Sequence, residues 1–117
     1  MATDTGDSKA GAKVFAKCKA CHQVGKGAKD RIGPHLNGLF GRQAAAHEGY
    51  SYSKSMKRAG ADGLVWDAKT LDAYIENPKA LVSKTRMNFR GLKKPKQRGD
   101  LLAYLREFSD NPADLPE

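Results

Sequence analysis

The stretch Asp7-Ser8-Lys9-Ala10-Gly11-Ala12-Lys13-Val14-Phe15-Ala16-Lys17-Cys18-Lys19-Ala20-Cys21-His22 decides how the rest of this 117-residue chain is read. Ala10, Val14, Phe15 and Cys18 follow one another at intervals of four, one and three, which is the spacing of one helical face. Gly11 interrupts that helix at a cost of about 1 kcal/mol relative to alanine, so its presence predicts close approach by another backbone. Cys18 and Cys21 are the chain's two cysteines, separated by two residues, and this excludes a structural disulfide framework.

Residues three apart on a helix lie on the same side, so the two thiols can each add to one vinyl group of a single porphyrin. His22 follows at once and can turn inward to bind the iron. A thioredoxin-type reading of the pair needs a βαβ setting and gives His22 no role, and a zinc reading needs a second ligand pair that the chain lacks. The motif is therefore read as attachment of one covalent haem. Whatever fills the second axial position of the iron decides between electron transport and activation of small molecules. The candidates are Met87, Met56, His35, His47 and several lysines. Met87 reads as a loop residue flanked by Lys84-Thr85-Arg86 and Asn88-Phe89-Arg90, and its thioether suits ferrous iron. Met56 reads as packing, and His35 and His47 read as loop surface residues.

Composition supports a large apolar cofactor. Ten Leu, two Ile, four Val and four Phe amount to about 17% of the chain, a share that with a net charge of +8 points to disorder for bare polypeptide. Well-formed amphipathic segments contradict disorder, so a ligand is expected to supply the missing core. The charge calls for an acidic partner, which composition alone leaves open among nucleic acid, membrane surface and protein. The basic residues are dispersed and belong to no recognised nucleic-acid-reading module, so no nucleic acid is expected. No window reaches the length of an apolar membrane span, and Met1-Ala2-Thr3-Asp4-Thr5 has neither a basic nor an apolar leader region. A soluble protein is expected, with any export signal already removed.

Outward from the motif, residues 1–6 read as a flexible tail, 7–110 as one domain and 111–117 as a second tail. Residues 23–50 are rich in glycine and polar side chains and show no sustained period, a length of loop that makes sense when it wraps something. A short helix is predicted over Ser53 to Ala59. Asp67 is placed to cap a helix carrying Leu71, Tyr74 and Ile75 on one face, ended by Asn77-Pro78. An irregular loop from Pro78 to Lys94 is expected next. Pro95 then opens a last helix with Leu101, Leu102, Leu105 and Phe108 as its apolar stripe. No segment alternates as a strand does. The predicted class is all-α, with three to five helices and long loops around one haem.

The chain resembles the class I cytochromes c, the group of mitochondrial cytochrome c and bacterial cytochrome c2. The resemblance runs in order through GDSKAGAKVFAKCKACH at 6–22, IGPHLNGLFGR at 32–42, GYSYS at 49–53, Trp66, LDAYIENPK at 71–79, TRMNFRGLKK at 85–94 and DLLAYLREF at 100–108. It implies thioethers at Cys18 and Cys21, with His22 and Met87 as axial ligands. The carbonyl of Pro34 is implied to orient His22. Arg42, Tyr52 and Trp66 match positions that hydrogen-bond the propionates. Tyr74, Thr85 and Phe89 match the pocket around the methionine sulfur. Gly11 and Phe15 match the N-terminal helix face that crosses the C-terminal helix at Leu101 and Tyr104.

Lys13, Lys17, Arg31, Lys79, Arg86, Lys93 and Lys94 match positions that ring the haem edge and dock acidic patches. The implied activity is single-electron shuttling by a monomer. The implied partners are a cytochrome bc1 complex as donor and a cytochrome c oxidase or photosynthetic reaction centre as acceptor. The implied compartment is the bacterial periplasm, with the mitochondrial intermembrane space as alternative. The sequence departs from the family where Val82-Ser83-Lys84 replaces Pro-Gly before the ligand loop, where extra residues precede Trp66, and where Met56 replaces a common Asn. A loosened Met87 is the basis of the alternative reading, a peroxidase-like haem protein.

Overall fold

A computed structural model describes residues 6–108 except residues 20, 32, 48, 83, 86, 88 and 90; the docking residue expected at Arg86 and most of both expected tails lie outside the described residues. Helix α1 spans Ser8–Phe15, α2 Lys54–Ala61, α3 Ala68–Glu76, α4 Pro78–Leu81 and α5 Pro95–Arg106. Among the described residues the sole β-type pairing is an isolated bridge between Gln43 and Val65, so the all-α expectation stands.

The Asp7 carboxylate starts α1 by accepting the N–H groups of Lys9 and Ala10, two donors the helix cannot satisfy itself. The sequence reading carried this helical face through Cys18, but the α-helix stops at Phe15. Beyond it the chain tightens into turns in which the Cys18 N–H donates to the Phe15 carbonyl at 2.7 Å.

Helix α1 packs against α5, and Gly11 explains how. A Cβ at Gly11 would collide with the Asp100 carbonyl and come within 2.8 Å of the Tyr104 Cβ, so the two backbones meet where a side chain would hold them apart. Phe15 lies beside the contact, fully buried, with its ring centroid 5.5 Å from that of Tyr104. The main-chain N–H of Asp7 donates to the buried Asp100 carboxylate at 2.9 Å and fastens the start of α1 to the same seam.

Ser53 caps α2, and Asp67 and Thr70 cap α3 reciprocally in a capping box. Helix α3 buries Leu71, Tyr74 and Ile75. The loop expected to begin at Pro78 starts instead as the one-turn helix α4. Proline lacks the N–H that a first helical residue would leave unused, and its fixed φ suits that position, so Pro78 ends α3 and opens α4. Pro95 does the same for α5, which buries Leu101, Leu102 and Leu105. Phe108 falls beyond the end of α5, where it packs edge-on against Tyr104.

The long loops contribute to the core. Leu39, Phe40, Ala44 and Trp66 from the segment before α3, together with Val82 and Leu92 from the segment after α4, are buried with the helical residues. Arg98 anchors the second loop from within: its Nε donates to Asp72 at 2.8 Å, and its Nη1 donates to the carbonyls of Leu92 and Lys93 at 3.0 and 3.1 Å. A buried guanidinium is tolerated here because its donors are shared among a carboxylate and two carbonyls.

Candidate functional site

Cys18, Cys21 and His22 sit on the turns that follow α1. The N–H groups of Cys21 and His22 both donate to the Cys18 carbonyl, at 3.1 and 2.9 Å, which draws Cys21 and His22 back towards Cys18. Cys18 and Cys21 are not bridged to each other, and both are half-buried. Burial, and then the neighbouring Cys21, push the Cys18 thiol up to about 11, so it is held protonated at neutral pH.

His22 is fixed from two sides. Its Nδ1 lies 2.7 Å from the carbonyl of Pro34, an acceptor, so Nδ1 carries the proton and Nε2 keeps its lone pair. Gly33 lies flat beneath the ring: a Cβ there would come within 2.7 Å of Nδ1 and 2.9 Å of Nε2. Burial lowers the His22 pKa and favours the neutral imidazole, the form that binds a metal, outweighing the Pro34 bond that pulls the other way.

A second group assembles from α3 and the loop after α4. Trp66 and Tyr74, both buried, bring their ring centroids to 5.1 Å. The Tyr74 hydroxyl lies 2.8 Å from the Thr85 hydroxyl, and the Met87 N–H donates to that same Thr85 oxygen at 3.2 Å. Met87 and Phe89 pack, half-buried, against the core, as do Cys18, Leu36, Met56 and Leu64. Met56 is thus a packing residue, as the sequence suggested.

Arg42 donates to the carbonyls of Asn37 at 3.3 Å and His35 at 3.5 Å, and it interacts electrostatically with Tyr52, which stacks edge-on with Tyr50. Burial lowers the Arg42 pKa and raises that of Tyr52. Lys13, Lys17, Arg31, Lys79, Lys93 and Lys94 are exposed. Lys93 nevertheless spends its ammonium on the Glu76 carbonyl at 2.6 Å.

Two features escaped the sequence reading. Gly33 was passed over as part of a motif, although a glycine beside the proline that orients a histidine is a signal for close backbone approach. His35 and His47, read as surface residues, are half-buried and face each other, with centroids 4.4 Å apart.

The donor set fits a covalent haem. Two unbridged thiols, an imidazole with its outer nitrogen available and a thioether held by its own backbone are supplied by segments that also contribute apolar packing. The chain matches the cytochrome c family over residues 8–109. It is 50% identical over 108 residues to cytochrome c2 of Afifella marina, covering 92% of this chain and 87% of that protein. It is 52% identical over 103 residues to cytochrome c of Cannabis sativa, covering 87% and 90%. The solved structure of cytochrome c2 from Rhodospirillum centenum superimposes with a TM-score of 0.84 at 38% identity, covering 89% of this chain and 99% of that one. With five helices among the described residues, its thiol pair and this kinship, the chain belongs to the cytochrome c family and is an electron carrier with covalently bound haem c, not an enzyme.

Proposed function

We propose that this protein shuttles single electrons in a bacterial periplasm, from a cytochrome bc1 complex to a cytochrome c oxidase or a photosynthetic reaction centre. The observation that carries the reading is the setting of His22: a proton held at Nδ1 by the Pro34 carbonyl 2.7 Å away, with Gly33 beneath the ring. That arrangement leaves the Nε2 lone pair free and the ring fixed in place, as a metal ligand needs.

In this reading Cys18 and Cys21 would hold the haem through thioethers, and His22 and Met87 would ligate its iron. Bound haem supplies the one-electron iron couple, whose potential a Met/His pair raises. The chain's own residues do the rest. Thr85 and Tyr74 restrain Met87, Phe89 excludes water from its side of the pocket, and Arg42, Tyr52 and Trp66 would present donors to the propionates. With His22 and Met87 both committed to the iron, no ligand position would be left open to a substrate, which favours transport over turnover.

Lys13, Lys17, Arg31, Lys79, Arg86, Lys93 and Lys94 are the proposed docking set for acidic partner surfaces. With a net charge of +8, they predict fast and salt-sensitive encounter. Mass spectrometry of the natively matured protein is expected to show one haem added covalently, and the ferric spectrum a weak long-wavelength sulfur band that Met87→Ala abolishes. A bare polypeptide mass refutes the attachment, and a band surviving in Met87→Ala refutes that ligand. Electron-transfer rates with a purified bc1 complex should fall steeply with ionic strength; a flat profile removes the docking proposal.

A further inference from the structure

We propose that Asp30, His35 and His47 form a second, surface metal site, distinct from the haem ligands, that takes one divalent transition-metal ion of the zinc class. One donor atom from each of the three side chains lies within 4.8 Å of the other two. His47 Nε2 is 3.0 Å from both carboxylate oxygens of Asp30. The main-chain N–H of His35 donates to Asp30 Oδ1 at 3.0 Å and aims the carboxylate.

His35 adds the observation that an ion pair alone leaves unexplained. Its Nδ1 is shut off from solvent and has no hydrogen-bond partner among the described residues. Leaving such a nitrogen unsatisfied is unfavourable, and a bound ion or water is the usual remedy.

The donor chemistry selects the ion. Two imidazole nitrogens and one carboxylate oxygen suit zinc, copper or nickel, whereas calcium and magnesium prefer sites built wholly of oxygen. Tetrahedral zinc bonds of 2.0–2.1 Å set its ligands about 3.4 Å apart, so the widest separation here must close by about 1.4 Å. That is within reach of side-chain rotation on loop residues. Burial lowers the His35 pKa and keeps that imidazole neutral, as a ligand must be. The Arg42 guanidinium near His35 opposes a cation, and the Asp30 charge offsets it. Asp30 and His35 belong to the loop after the cysteine motif, and His47 lies 17 residues beyond Asp30, ahead of Tyr52. A bound ion therefore clips these two loop segments together.

The test uses the natively matured protein, in which His22 is committed to haem and His35 and His47 are the remaining histidines of three. Calorimetric titration with zinc chloride in a non-coordinating buffer is expected to give saturable, equimolar, micromolar uptake. His47→Ala and Asp30→Asn should each weaken it by at least about tenfold. On the unaltered protein, zinc but not magnesium should slow carbethoxylation of His47 by diethyl pyrocarbonate, read by peptide mass spectrometry. That second measurement does not depend on how the variants fold. Absence of saturable uptake, uptake unchanged in His35→Ala/His47→Ala, or unprotected His47 each overturns the site and leaves only a His47–Asp30 ion pair.

Discussion

The Tyr74 hydroxyl and the Thr85 hydroxyl meet at 2.8 Å, and the Thr85 oxygen also accepts the Met87 N–H at 3.2 Å. A buried phenol on α3 thereby holds the backbone of the proposed axial methionine through a single threonine. Thr85→Val removes both bonds and orphans the Tyr74 hydroxyl, at a cost of about 1–3 kcal/mol. Tyr74→Phe removes donor and burial penalty together and should cost less. Denaturant unfolding measures the stabilities, and the intensity of the ferric sulfur band reports whether Met87 has loosened in step.

Gly11 sits mid-helix, where alanine would ordinarily gain about 1 kcal/mol. Here a methyl group strikes the Asp100 carbonyl, which is backbone and cannot swing aside. Overpacking costs about 1–3 kcal/mol, so the clash outweighs the propensity. Gly11→Ala is expected to lower the thermal midpoint, and Gly11→Val to lower it further, in calorimetric scans.

Gly33→Ala tests the seat of His22. The added Cβ would lie within 2.9 Å of both ring nitrogens, so the imidazole must tilt away from the Pro34 carbonyl. The expected outcome is an altered Soret spectrum and a shifted reduction potential in the matured protein, with far-ultraviolet circular dichroism little changed.

Asp100 gives stability a pH dependence of definite sign. The Asp7 N–H and then Lys96 hold its carboxyl below the ordinary value of 3.8. A group depressed by folding contributes fully above its unfolded pKa, and that contribution disappears as pH falls through the folded value. Asp100→Asn should therefore cost about 1–2 kcal/mol at pH 7 in urea titrations. The difference from wild type should shrink as the pH is taken below that ordinary value.

Much of the fold was legible because local rules act over a few residues. Asp67, Ser53, Pro95 and the apolar stripe of α5 each announce an element without knowledge of its neighbours. The same locality explains the misses. Whether the chain winds one more turn at Pro78, or stops α1 at Phe15 before the cysteines, is settled by competition between equally short hydrogen bonds.

By itself the sequence determined the cofactor chemistry, since Cys18, Cys21 and His22 fall within five consecutive residues and their spacing is covalent fact. Tertiary structure decided how their surroundings meet, because Gly33 beneath His22, the Pro34 carbonyl at its Nδ1, Thr85 between Tyr74 and Met87, and Asp30 against His47 are joined through space. The pairs Tyr74–Thr85, His22–Pro34 and Asp30–His47, 11 to 17 positions apart, meet only after the loops have closed. The entropy of that closure is offset by burial of the whole core, a property no short segment carries.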